Sequence, residues 1–201
     1  DRLVTLHDLA YLAIPEASRE KVEVICQSAM PLKRRLPSAK RSFDICVVGH
    51  LRDEKDPLRA AYAAHGLPQS SRIRILQYGK AHNAVWAQKA RDEMACNPRY
   101  KWLGERPHWQ VRQAYARCRA MVLSSVMEGG ANVISEATVA GLPVIASDIA
   151  GSIGLLGEDY AGYYPAKNTE ALQACLQRTE SEPGFLQQLR QQCDTRALRF
   201  T

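Results

Sequence analysis

The chain has 201 residues, with 27 Lys and Arg against 21 Asp and Glu, giving a formal net charge of +6 and a pI near 9.1. That length suffices for one ordinary α/β domain with a sizeable core, and these residues contain no signal-peptide pattern and no apolar run of about eighteen residues, although a start cut short would hide a targeting segment. Six cysteines, at 26, 46, 96, 118, 175 and 193, form no Cys-x-x-Cys pair and cluster with no histidine along the chain, which speaks against a disulfide scaffold and fits a reducing cytoplasm.

In chain order, residues 3–6 and 22–25 read as short apolar strands with a helix around Tyr11 to Ala13 between them. The stretch Met30-Pro-Leu-Lys33-Arg34-Arg35-Leu-Pro37-Ser-Ala-Lys40-Arg41 carries two prolines and five cations, the composition of an interdomain linker. A nucleic-acid patch is the competing reading, but no aromatic platform accompanies the cations. Residues 43–48 form a mostly apolar strand that leads into the charged loop Gly49-His50-Leu51-Arg52-Asp53-Glu54-Lys55-Asp56-Pro57. Residues 72–78 alternate like a strand, 82–96 fit a helix, and 100–103 fit another strand. A helix over 107–118 starts at a proline, whose missing donor does no harm there. Then come a buried strand at 121–123, a turn at Gly129 and Gly130, and a helix over 132–140 that Gly141 ends before Pro143 opens the next strand. Residues 154–159 read as a loop, Asn168 caps an amphipathic helix, and 183–189 begin a final one. Cys46, Cys118 and Cys175 sit at apolar periodic positions and are expected to be buried.

Strands alternating with helices imply an α/β fold, a Rossmann-like parallel sheet with helices on both faces. Ligands on such sheets bind beyond the carboxyl ends of the strands, where the loops after Val48, Leu103 and Ser124 must lie. A strand that turns through glycines into a helix aims free N–H groups and the positive helix end at the space above, which suits a phosphate. Glu136 falls in the second turn of that helix, placed to accept hydrogen bonds from ribose hydroxyls, and Glu128 stays in the turn, free to reach a sugar. The same pattern recurs throughout α/β proteins, and Glu136 is also a good surface helix residue.

Glu128, seven residues, then Glu136, followed by Gly141-Leu142-Pro143 and an apolar strand, resembles the signature of retaining GT-B glycosyltransferases of family 4, also called group 1. The resemblance implies that Glu128 faces the donor sugar, that Glu136 binds the ribose, and that the amides of Gly129, Gly130, Ala131, Asn132 and Val133 hold the diphosphate. Where the family usually reads Glu-Gly-Phe-Gly, this chain has Glu128-Gly129-Gly130-Ala131. The loop from Gly49 stands where the family carries Gly-Arg-Leu, two variable residues and Glu-Lys-Gly. Lys55 matches the lysine. His50 replaces the arginine and Arg52 lies two positions on, so a second cation beside the diphosphate must be supplied differently. A solvated charged loop is the competing reading. The resemblance makes Trp102, Leu103 and Gly104 candidates for backbone contacts to uracil, while Trp102 also suits a core position. Catalysis then rests on Lys55, stabilising the departing UDP, and on Glu128, orienting the sugar. The resemblance implies a UDP-sugar as donor and no metal.

A complete GT-B enzyme has two domains. Residues 1–30 are accordingly expected to be a remnant of an acceptor-binding domain, 31–42 the linker, and 43–201 the donor-binding domain. The chain is thus expected to be a fragment cut at both ends and inactive by itself. Its implied partners are a nucleotide sugar and the absent acceptor domain, not nucleic acid or membrane. Segments 48–57, 127–136 and 148–165 together resemble the selenosugar synthases of selenoneine biosynthesis, which implies transfer of N-acetylglucosamine from its UDP form to selenophosphate. A sugar-nucleotide epimerase on the same scaffold and a non-catalytic nucleotide- or nucleic-acid-binding module are the alternatives.

Overall fold

The computed structural model describes residues 1–201. Two short parallel strands open the chain, β1 (Leu3–Thr5) and β2 (Val22–Val24), joined by a 3-10 turn at Asp8–Ala13 and a single helical turn, α1 (Glu16–Arg19). They form a separate two-stranded sheet. The main sheet has six strands: β3 (Phe43–Val48), β4 (Ile73–Tyr78), β5 (Tyr100–Trp102), β6 (Ala120–Leu123), β7 (Val144–Ser147) and β8 (Tyr163–Tyr164). Its order is β5-β4-β3-β6-β7-β8, with every pair parallel. Every residue of β6 and β7 is buried, as a central parallel strand covered on both faces requires.

The connections are helical: α2 (Arg59–His65), α3 (Ala84–Cys96), α4 (His108–Arg117), α5 (Asn132–Val139) and α6 (Ala150–Leu156), followed by α7 (Thr169–Ser181) and α8 (Pro183–Ala197). Local chemistry sets their ends. The Asn83 side chain accepts from the Trp86 amide at 3.0 Å to open α3, and Asn168 accepts from the Ala171 amide at 2.9 Å to open α7. Gly141, at φ +65°, takes the left-handed conformation that stops α5. The chain winds outward from β3 through β4 to β5 and then returns to β6. Between β3 and β6 the winding reverses, which opens a crevice at their carboxyl ends.

Three features depart from the sequence reading. A 3-10 turn replaces the helix around Tyr11, α2 occupies a stretch with no assigned structure, and α6 occupies the place read as a loop. Gly151 and Gly154 look like breakers, but both permit close approach. A Cβ on Gly151 would lie 2.5 Å from the Glu128 carbonyl oxygen, and one on Gly154 would lie 2.4 Å from His7 Nδ1. Cys46, Cys118 and Cys175 are buried as expected, and Cys193 joins them. At the amino edge of the sheet the ends of α2 and α3 bring His65, Glu93 and Cys96 together. Linear spacing had shown no such grouping of histidine with cysteine.

The basic stretch before β3 has no regular structure, but it is tied down. Arg112 donates to the carbonyls of Met30 and Pro31 at 2.7 and 2.8 Å, and the Leu36 amide donates to Ala116 at 3.0 Å. Arg35 lies within 2.9 to 3.4 Å of the carbonyls of Tyr115, Cys118, Ala140 and Gly141. One guanidinium therefore serves acceptors that the ends of both α4 and α5 leave over.

Candidate active site

The loops after β3, β4 and β5 meet at the carboxyl edge through their backbones. Gly49 N–H donates to Tyr78 at 2.9 Å, and Gly79 N–H donates to Gly104 at 2.9 Å. Gly79 has φ +146°, and a Cβ there would lie 2.0 Å from the Gly49 carbonyl oxygen, so only glycine lets these loops pass. Facing them is the glycine turn that opens α5. Between the two lies a cavity of about 360 Å³.

Gly49, His50, Arg52, Lys55, Glu128, Gly130, Ala131, Asn132 and Val133 all line this cavity. The segments around Lys55 and Glu128 thus come together at one cavity. Lys55 Nζ is 2.5 Å from Glu128 Oε1, and Ser125 Oγ donates to the same oxygen at 2.5 Å. The Val126 amide donates to the Glu54 carbonyl at 2.8 Å, which stitches the two loops beside this pair. Arg52 lies 2.9 Å from Glu54. The ring of His50 accepts the Lys80 amide at Nδ1 over 3.1 Å, which leaves Nε2 as the donor of the neutral imidazole. Ala131 caps α5 without a side-chain hydrogen bond, so the first-turn amides lack a side-chain acceptor.

Glu136 does not line the cavity wall but adjoins it through Asn132. Its Oε1 lies 3.2 Å from Asn132 Nδ2 and 3.3 Å from His108 Nε2, and its Oε2 accepts the Tyr115 hydroxyl at 3.0 Å. Burial first, and then the Glu136 carboxylate, hold the Tyr115 phenol far above its ordinary pKa, so it stays a donor. Gly129 lies in the turn without lining the cavity. Trp102 and Leu103 also lie off it. The Trp102 indole donates to Gly79 O at 2.9 Å, the Leu103 amide donates to Gln77 O at 2.8 Å, and Leu103 lines a neighbouring groove that Trp109 also borders. The Gly104 carbonyl is engaged by Gly79.

Tyr78, Glu105, Arg106 and Val111 also line the cavity, and the sequence reading did not name them. Arg106 forms no ion pair and follows Gly104 by two residues, so inspecting the whole loop after β5 would have found it. Ser125, His108 and Tyr115 reach the two carboxylates from positions that no spacing rule selects. No helix is long and apolar enough to cross a membrane.

The family model described as glycosyl transferases group 1 matches residues 31–199. No curated protein sequence matches the chain. Among solved structures, Alr3699/HepE from Anabaena, crystallised with UDP and glucose, superposes with a TM-score of 0.82 at 16% identity, covering 99% of this chain and 59% of that one. Sucrose-phosphate synthase from Thermosynechococcus elongatus gives 0.78 at 19% identity, covering 100% and 54%. The pneumococcal O-GlcNAc transferase GtfA, with UDP and GlcNAc, gives 0.76 at 19%, covering 100% and 42%. These similarities establish the fold, and this chain spans well under two thirds of each of those proteins.

Proposed function

Since the chain belongs to the group 1 glycosyl transferases, we propose that it forms the donor side of a glycosyltransferase and holds a UDP-sugar in the crevice between β3 and β6. The observation that carries this reading is the meeting of the Lys55–Glu128 pair with the glycine turn around one cavity, which the prearranged Glu136 adjoins through Asn132. Glu136 accepts the ribose hydroxyls, with Asn132 and His108 yielding lone pairs while Tyr115 keeps the carboxylate aimed. The amides from Gly129 to Val133 and the α5 dipole take the diphosphate. Lys55 and Arg106 supply the cations, which answers the replacement of the usual arginine by His50. Glu128 orients the sugar, and Lys55 gains strength as charge develops on the departing UDP. The reading assigns this charge to side chains and amides and routes no step through a metal. Transfer proceeds with retention, by attack on the face from which UDP leaves.

Those UDP-bound neighbours support UDP as the nucleotide. The acceptor side is supplied by a domain outside these residues, with 1–30 belonging to it, 31–42 joining it and 43–201 holding the donor. The narrower reading, N-acetylglucosamine passed to selenophosphate, rests on the departures at Gly49 to Arg52, at the Gly-Gly-Ala-Asn turn and at 154–159. Six free cysteines, four of them buried, support a cytoplasmic setting. Calorimetry tests the core claim. UDP should bind the 201-residue chain at one site and a short RNA should not, and the absence of UDP binding would refute it. For the longer protein, UDP release from UDP-N-acetylglucosamine across acceptors tests the narrower reading, which a preference for a sugar, lipid or peptide hydroxyl over selenophosphate would overturn.

A further inference from the structure

α2 and α3 both run back from the carboxyl edge of the sheet, so their last turns lie at its amino edge, at the far end from the donor crevice. His65 is the last residue of α2, and Cys96 is the last of α3. Between them Glu93 presents a carboxylate whose side chain is only 7% exposed. His65 lies beside it, with Nε2 2.9 Å from Glu93 Oε1, and no Lys or Arg pairs with it. Buried carboxylates are normally paired with a permanent cation or bound to a metal. Asn97 orients this one, donating to Glu93 Oε1 at 2.7 Å and to the Ala61 carbonyl at 2.9 Å. Beside it Tyr100 is 4% exposed with its hydroxyl unpartnered, within the field of the Glu93 carboxylate.

We propose that His65, Glu93 and Cys96 bind a divalent transition metal of the zinc type. The imidazole nitrogen, carboxylate oxygen and thiol sulfur lie within 4.8 Å of one another. A tetrahedral zinc ion needs its nitrogen and oxygen ligands about 3.3 Å apart, given bonds of about 2.0 Å. Widening the 2.9 Å His65–Glu93 contact by a few tenths of an ångström, and swinging the exposed Cys96 side chain inward, meets that need. One nitrogen, one oxygen and one sulfur donor select zinc or cobalt over magnesium or calcium. Three protein ligands leave a fourth position for water. Binding converts the Cys96 thiol to a thiolate and releases its proton to solvent, so affinity should rise with pH. The bound ion cross-links the ends of α2 and α3 and neutralises the Glu93 charge. Asn97 is then the outer partner that fixes the carboxylate.

The test uses Co²⁺ as a spectroscopic probe, with Zn²⁺ as competitor, on the 201-residue chain. One equivalent of Co²⁺ should give a near-ultraviolet thiolate charge-transfer band and the visible bands of a four-coordinate ion, and Zn²⁺ should abolish both. Cys96→Ser should remove the charge-transfer band. His65→Ala should weaken binding by more than about tenfold, since loss of even an outer partner costs that much. Both side chains are exposed, so both variants should fold. Cys26→Ser should leave the spectrum unchanged, and Zn²⁺ should raise the melting temperature of the parent chain but not of Cys96→Ser. Failure of Co²⁺ to bind one per chain would overturn the proposal, as would persistence of the thiolate band in Cys96→Ser or unaltered affinity in His65→Ala.

Discussion

Replacing Glu136 by Ala separates a ribose ligand from a pin between two helices, because the structure assigns the two roles different costs. Tyr115 is fully buried, and Glu136 Oε2 accepts its hydroxyl. Glu136→Ala should therefore leave a buried donor without a partner and lower unfolding stability by about 1–3 kcal/mol. His108 is 65% exposed at its side chain and Asn132 is exposed, so both rehydrate and add little. In a Tyr115→Phe background the orphaned hydroxyl is absent, and the same replacement should cost at least about 1 kcal/mol less. The effect on the nucleotide is separate. Hydrogen bonds from ribose to a carboxylate contribute about 1.5–3 kcal/mol, so UDP affinity should fall by roughly 10- to 150-fold in calorimetry. Glu136→Ala should also erase any preference for UDP over its 3′-deoxy analogue. Urea titrations of the four variants in the cycle measure the stability terms. If stability falls as stated while UDP affinity and the deoxy preference stay unchanged, the carboxylate only pins α4 to α5 and the ribose assignment is refuted.

Lys55→Ala should weaken UDP binding more than tenfold by calorimetry, since a charge-assisted contact is lost. It should also cost about 1–2 kcal/mol of stability, because Glu128, 9% exposed at its side chain, loses its cation, and unaltered UDP affinity would contradict the role given to Lys55. Gly79→Ala places a methyl group 2.0 Å from the Gly49 carbonyl at a φ of +146°, so a fall in melting temperature worth at least about 2 kcal/mol is expected, and a silent substitution would disprove the close packing of the loops. His7 binds protons less readily when docked, because burial lowers its pKa from 6.5 against the opposing pull of Asp8. The undocked segment then takes up the proton first, so docking of residues 1–25 is fully stable above 6.5 and weakens as pH falls below it. Limited proteolysis between pH 7 and 5 should show increasing cleavage there, and His7→Gln should flatten the dependence.

Much of the sheet is legible because central parallel strands must be apolar on both faces, so β6 and β7 stand out as apolar runs and β3 does so apart from Asp44, and Asn83, Asn168 and Gly141 mark helix ends by their own hydrogen bonding and backbone preference. α2 hides for the opposite reason. Its buried residues are Ala60, Ala61, Ala63 and Ala64, and four small side chains give no periodic contrast. α6 hides because its glycines look like breaks when read locally, whereas Glu128 and His7 set the need for them across space. The motifs named both ends of the Lys55–Glu128 pair but not their contact, which depends on two loops joined only in the fold. Tyr115 and Arg106 escaped since neither belongs to a spacing pattern. Trp102 had two readings, a backbone contact to uracil and a core position; it packs partly buried against the core, and its indole donates to Gly79. The grouping of His65 with Glu93 and Cys96 joins the ends of two helices and has no local signature.

The four carbonyls gathered by Arg35 make the basic stretch a lever rather than a slack tether. Its guanidinium grips the trailing ends of α4 and α5, the two helices that carry Tyr115 and His108 on one side and Glu136 and Asn132 on the other. A displacement of the chain before β3 cannot dissipate in loose coil. It must either break several hydrogen bonds at once or tilt both helices together, and a common tilt leaves the Tyr115–Glu136 bond intact while carrying the carboxylate through space. The chain ahead of residue 31 therefore has a mechanical handle on the helices beside the proposed nucleotide site. Upstream of Arg35 the backbone is held more sparsely, by the Arg112 contacts to Met30 and Pro31 and by the Ala29 amide donating to the Phe200 carbonyl at 2.7 Å.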